Sequence, residues 1–222
     1  MKDCLVTKLL VEANNSNLPI FEPLEEVAGI KISNASQYVD LSNLVGTIRL
    51  DKLKIEIEFT VLSAISSSSY RSFMLGGRGN TIYLQLRETN AVETIKTASD
   101  GSLVDNIFTV GTKNKMVIYR GGENAHKAIF NNTEYYWSYT DSNSPLEYAA
   151  LFAAYSGDTP GAAAKVDAMV LHSIKFYNAD ESLINPAVDI IPCKDSLGNG
   201  VLYDKISGDK LYANTGNLVA VE

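Results

Sequence analysis

From Lys52 to Val61 the chain alternates without a break, with Leu53, Ile55, Ile57, Phe59 and Val61 set against Lys52, Lys54, Glu56, Glu58 and Thr60. A period of two places the first set on one face of a β-strand and the second in water. Thr81 to Arg87 repeats the pattern on a smaller scale, with Ile82, Leu84 and Leu86 on one side and Tyr83, Gln85 and Arg87 on the other. Val166 to Tyr177 carries Val166, Ala168, Val170, Ile174 and Phe176 on one face, while Met169, Leu171 and Tyr177 make the other face apolar too. A central strand covered on both sides reads this way.

Turn-forming clusters separate these runs: Ser66 to Ser69, Gly76 to Asn80, Ser99 to Gly101, Gly121-Gly122, Asp141 to Pro145 and Ser156 to Gly161. Short alternating runs divided by Gly, Asn, Asp and Ser predict an antiparallel sandwich. Leu202-Tyr203-Asp204 and Lys210-Leu211-Tyr212 flank Ser207-Gly208-Asp209, a hairpin whose glycine supplies a positive φ. Leu146 to Tyr155 has some helical propensity, but Pro145 and Gly157 bound it and its aromatics are bulky, so it is read as strand. Residues 1–28 differ in character: Asn14 to Asn17, Pro19, Pro23 and an acidic stretch from Glu22 to Glu26 suggest an arm before a domain spanning 29–222. Its apolar patches, with Leu5, Val6, Leu9, Leu18, Ile20 and Phe21, would be costly in water, so the arm is expected to dock on its own domain or on another chain.

A length of 222 residues suits a single sandwich with a full core. No run approaches the ~18 apolar residues of a membrane span, which argues against a membrane protein. Nineteen Lys and Arg against 26 Asp and Glu give a net charge of −7, with no basic stripe for neutralising nucleic-acid phosphates. The start, Met1-Lys2-Asp3-Cys4-Leu5-Val6-Thr7-Lys8, lacks the unbroken apolar stretch of a signal peptide and points to synthesis in a reducing cytosol. Cys4 and Cys193 are the only thiols and His126 and His172 the only imidazoles, too few and too scattered for a zinc site. No cofactor is expected.

The C-terminal third reads His172-Ser173-Ile174-Lys175-Phe176-Tyr177-Asn178, then Ile191-Pro192-Cys193-Lys194-Asp195, Leu202-Tyr203-Asp204 and Leu211 to Gly216. With Ala35-Ser36-Gln37-Tyr38-Val39-Asp40 and Phe73 to Arg78 upstream, this order resembles the concanavalin A-like (laminin-G-like) jelly-roll domains of bacteriophage virion structural proteins. The opening Cys4 to Leu9 resembles the start of small structural proteins of phages that infect gut bacteria. Between Asn185 and Asp189 the chain departs from that family, which carries arginine or another charge there. The resemblance implies an all-β, two-layer antiparallel jelly-roll sandwich in a head fibre, decoration or tail fibre protein. It further implies synthesis in the bacterial host cytoplasm, attachment to other virion proteins through the arm, and a homotrimer, the common state of such fibres.

For chemistry, Glu56 and Glu58 share a strand face ~7 Å apart, a spacing that suits glycoside hydrolysis. Phe59-Thr60-Val61 occupies the place of the third carboxylate found in fold-sharing hydrolases, and a solvated face beside Lys52 and Lys54 is the preferred reading. Ser173 beside His172 would turn to the opposite face of a strand, and His172 is read as a hydrogen-bonded core or edge residue. Asp141 to Asn143 and Asp195 to Asn199 are loops with oxygen ligands for calcium, read as ordinary turns. The binding candidate is Asn131 to Asp141, where Tyr135, Trp137 and Tyr139 share a face on which a sugar ring could stack, with Asn131, Asn132 and Asp141 offering hydrogen bonds. The competing reading makes that aromatic face the core side. The functional expectation is a non-enzymatic virion protein displaying a lectin-like sandwich to host-surface glycan; the alternatives are a bacterial lectin domain and a degenerate glycoside hydrolase.

Overall fold

The computed structural model describes residues 23–63, 72–77, 83–86, 92–94, 102–104, 109–120, 127–136, 145–156, 159–162, 169–178 and 181–222. In chain order the strands are β1 (Glu25–Glu26), β2 (Gly29–Lys31), β3 (Val39–Asp40), β4 (Leu53–Val61), β5 (Ser72–Gly77), β6 (Tyr83–Leu86), β7 (Val92–Thr94), β8 (Ser102–Val104) and β9 (Lys113–Tyr119). They continue as β10 (Lys127–Phe130), β11 (Thr133–Tyr136), β12 (Ala149–Leu151), β13 (Ala153–Ser156), β14 (Thr159–Ala162), β15 (Met169–Asn178), β16 (Val188–Lys194), β17 (Asn199–Asp204), β18 (Lys210–Leu211) and β19 (Leu218–Val221). One turn of α-helix (Ser42–Val45) and one 3₁₀ turn (Leu50–Lys52) precede β4.

All pairings between the described strands are antiparallel, and they build an all-β sandwich from a large sheet, ordered β1-β16-β17-β19-β2-β15-β4-β9-β10-β11 with β18 beside β17, and a smaller one, ordered β3-β12-β5-β6-β7-β8, while β13 and β14 pair with each other as a separate hairpin. A single buried cluster joins the two layers: Leu53, Ile55, Ile57 and Phe59 from β4 and Ile174 and Phe176 from β15 meet Val39, Leu75, Leu84 and Leu151 from the smaller sheet. Each such side chain stabilises the fold by ~1.5–3 kcal/mol relative to exposure. The alternation of β4 survives intact, since Leu53, Ile55, Ile57 and Phe59 are fully buried.

In β15 the alternation slips. Leu171 pairs with Phe59 and Ser173 with Glu58, so His172 is the extra residue of a β-bulge. Met169 and Leu171 before the bulge, and Ile174 and Phe176 after it, therefore all face the core. Val170 belongs to the other face, contrary to the uninterrupted period. A second irregularity divides Leu146 to Tyr155. Phe152, buried and at φ 62, separates β12 from β13, so Leu151 and Phe152 both enter the main core while Ala150 and Ala153 form a small cluster with Tyr38 and Tyr148. The β17–β18 hairpin forms as expected, with Leu202 opposite Leu211 and Gly208 at φ 83.

The two ends of the described chain are fastened together. Gln37 Nε2 donates to the carbonyls of Thr215 (2.9 Å) and Asn217 (3.0 Å), and its Oε1 accepts from the Ser33 amide at 2.7 Å. Asn214 N donates to Tyr38 O at 2.9 Å, and Tyr38 N donates to Asn214 Oδ1 at 2.8 Å. The stretches Ala35 to Asp40 and Leu211 to Gly216 are therefore the two halves of one hydrogen-bonded clasp.

Candidate functional site

Asn131 and Asn132 form the two-residue loop between β10 and β11, where Phe130 pairs with Thr133. Their φ values of 44 and 71 are those of a type I′ turn, which asparagine tolerates because its short amide offsets the left-handed strain. The Asn131 side chain ties this turn to β9, since its Nδ2 donates to Asn114 Oδ1 at 2.9 Å and its Oδ1 accepts from Lys115 N at 3.0 Å. Asn132 is exposed. Tyr135 is half-buried and packs against the main core. Trp137, Tyr139, Asp141 and His126 lie outside the described residues, as do Leu5, Val6, Leu9, Leu18, Ile20 and Phe21.

The aromatic that β11 presents to solvent is Tyr136, 70% exposed on the outer face of the large sheet. The strand register continues inward from it as Tyr136–Lys127–Tyr119–Lys54–Tyr177, a row alternating aromatic and ammonium across five strands. Lys54 Nζ sits 3.9 Å from the Tyr177 ring centroid and 5.7 Å from that of Tyr119, and Lys127 Nζ lies 5.5 Å from Tyr119. These are cation–π distances. At the open end Lys127 pairs with Glu134 at 3.1 Å, and the Tyr136 hydroxyl donates to the same carboxylate. The Tyr136 bond first, then Lys127, holds the Glu134 carboxyl below its ordinary range. Glu134 in turn raises both Lys127 and Tyr136.

The inner half of the row is covered. Lys54 is 7% and Tyr177 5% exposed, and Lys54 Nζ donates to Leu183 O at 3.2 Å, fixing the β15–β16 connection over the sheet. Burial, followed by the charge and hydrogen bond of Glu56, pushes the Tyr177 phenol up to about 12. Thus the covered half is scaffold, whereas Tyr119, Lys127, Glu134 and Tyr136 present an aromatic surface, an anionic acceptor and a cationic donor to solvent. No local signal marks this group, because Tyr136 falls on the strand face opposite Tyr135 and its neighbours in the row come from other strands.

Glu56 and Glu58 do share the outer face, but lysines hold both. Lys54 lies 2.6 Å and Lys115 3.5 Å from Glu56, and Lys113 lies 2.6 Å from Glu58. Burial pulls the Glu56 carboxyl upward, yet the hydrogen bonds and charges of Lys54 and Lys115 outweigh it and leave the net shift downward. A glycosidase acid needs the reverse. His172 is held by Ala28 O at 2.6 Å from Nδ1 and by Thr60 Oγ1 at 2.8 Å from Nε2. A carbonyl only accepts, so Nδ1 carries a proton and donates it to Ala28 O. The bulge corrects one expectation: Ser173, opposite Glu58, and His172, bonded to Thr60, lie on the same face. Asp195 serves its own turn, accepting from Leu197 N at 2.9 Å and Asn199 N at 2.8 Å. Its carboxyl is lowered chiefly by a hydrogen bond from the Asn199 side chain.

No family model matches the chain, and neither does any curated protein. Among solved structures it is similar to a Bacteroides ovatus ATCC 8483 protein named "putative carbohydrate binding protein", with TM-score 0.53 and 10% identity over 90% of this chain and 61% of that one. The chain shares a β-sandwich fold with it. It spans less than two thirds of that relative's length. A likeness also extends to the CBM40 module of Ruminococcus gnavus IT-sialidase bound to α2,3-sialyllactose, with TM-score 0.43 and 17% identity over 67% of this chain and 90% of that one.

Proposed function

We propose that this chain is a non-catalytic carbohydrate-binding β-sandwich that holds saccharide on the outer face of its large sheet. The observation that carries the reading is the exposed Tyr136 ring beside the Glu134–Lys127 pair. An aromatic face takes the C–H side of a sugar ring, while a fixed carboxylate and ammonium take its hydroxyls. The likeness to a protein named for carbohydrate binding supports the reading, as do the lysine pairs that hold both outer-face carboxylates, Lys54 and Lys115 on Glu56 and Lys113 on Glu58. A glycan array probed with the full chain is expected to return defined ligands, and Tyr136→Ala to weaken them roughly tenfold, the upper end of an aromatic contact. An array without signal, or ligands indifferent to Tyr136→Ala, overturns it.

The finer setting we propose is display on a virion, with residues 1–28 as the attachment arm through Leu5, Val6, Leu9, Leu18, Ile20 and Phe21. The support is the order of the sequence motifs. A homotrimer would let many weak sites retain a host-surface glycan through avidity. Deleting residues 1–22, which precede β1 and carry those six apolar residues, is expected to abolish incorporation into particles and leave glycan binding intact; incorporation without them contradicts the attachment role.

A further inference from the structure

Strand β15 changes partners along its length. Its later half pairs with β16, as Ile174 with Ile190, Lys175 with Asp189 and Phe176 with Val188, while Leu171 pairs with Ile30 of β2. The sheet forks at this change, and the bulged His172 sits in the fork. Val27 N reaches Pro192 O across it at 3.1 Å. On the outer face the fork opens into a cleft of about 500 Å³, within the ~300–1,000 Å³ range of small-molecule sites. The His172 ring, tethered at both nitrogens, is a fixed wall of it.

Asp189 lines the same cleft at 7% exposure. Its Oδ2 pairs with Lys175 at 3.0 Å, but its Oδ1 is buried with no hydrogen-bond partner among the described residues. An unmet buried acceptor is destabilising, and a ligand hydroxyl is the kind of donor that would relieve it. Ser173, Lys205 and Glu26 also line the cleft, and their side chains have no partner among the described residues. Three carboxylates (Glu26, Glu58, Asp189) face three ammonium groups (Lys113, Lys175, Lys205), so the lining is neutral overall. Closely spaced donors and acceptors without net charge, beside the apolar Ile191, complement a ring bearing adjacent hydroxyls. A charged ligand gains nothing from such a lining.

We propose that the fork is a second saccharide-binding site, taking one neutral sugar unit on the same face as Tyr136. The proposal rests on the carbohydrate-binding reading but uses different residues. With two histidines in the chain, His172 ring protons are resolvable by NMR. The full chain is titrated with neutral hexoses and N-acetylhexosamines. A saturable shift of His172 is expected in the wild type, persisting in Tyr136→Ala and weakened at least fivefold in Ser173→Val and in Asp189→Asn. Ser173→Val guards against a folding defect in the second variant. Sugar binding that disappears in Tyr136→Ala and never moves His172 overturns the fork and spares the Tyr136 shelf. Binding that depends on Ser173 and Asp189 alone supports the fork and overturns the shelf; no binding by any sugar overturns both.

Discussion

Gln37→Leu tests whether the two ends of the sandwich are held by one amide. The side chain is fully buried, and its five hydrogen bonds involve Ser33 N and Oγ, Asn34 N, Thr215 O and Asn217 O. Leucine matches its bulk, so the substitution leaves little cavity and removes only the hydrogen bonding. Two amides and two carbonyls lose their partner, each at ~1–3 kcal/mol if water cannot replace it. The residues bearing them are exposed, so water recovers part of that, and the expected net loss is about 3 kcal/mol. In a domain of this size that lowers Tm by ~6–12 °C. Thermal unfolding by circular dichroism, with urea titration for ΔG, reads both. A loss below about 1 kcal/mol with an unchanged m-value would refute the reasoning. Gln37→Glu adds a sign. A carboxyl buried against two carbonyls has its folded pKa raised, so the variant is closest to wild type below the unfolded value of ~4.3 and falls behind as pH rises through the folded one.

Glu56 has the opposite sign: its folded pKa is lowered, so its contribution is present above the ordinary carboxylate range and is lost as pH falls through the folded value. Glu56→Gln should therefore flatten the acid limb of the stability profile, and an unchanged limb would exclude the Lys54 and Lys115 pairing. In a spectrophotometric titration, a tyrosine step near pH 12 should vanish in Tyr177→Phe, because burial and Glu56 push the Tyr177 phenol up to about 12. At the β10–β11 turn, Asn132→Gly should be neutral or slightly stabilising because glycine adopts φ 71 freely. Asn131→Gly should cost about 1 kcal/mol through the lost bonds to Asn114 and Lys115. Equal effects at both positions would contradict this division of labour.

What the sequence made legible was what a local period can encode. The strand from Leu53 to Val61 and the hairpin around Gly208 were readable because alternation and a single positive φ are properties of adjacent residues. The bulge at His172 was not, since it is fixed by pairing with β4, and one inserted residue shifts every earlier side chain to the other face. Lys54 looked like a wet residue and is 7% exposed because the connection through Leu183 covers it, a contact across 129 positions. The same limit governed the candidate site. Tyr135 and Tyr136 are adjacent, and only the Lys127–Tyr136 register against a packed core shows which of them solvent reaches. The resemblance drew notice to Gln37 and Asn214, and their physical role turned out to be closure of the fold.

Mapping a bound oligosaccharide by amide chemical-shift perturbation tests the central claim most directly. Perturbations are expected on the outer face of the large sheet, at Tyr119, Lys127, Glu134 and Tyr136. Perturbations confined to the smaller sheet, or none with any glycan, would contradict the account.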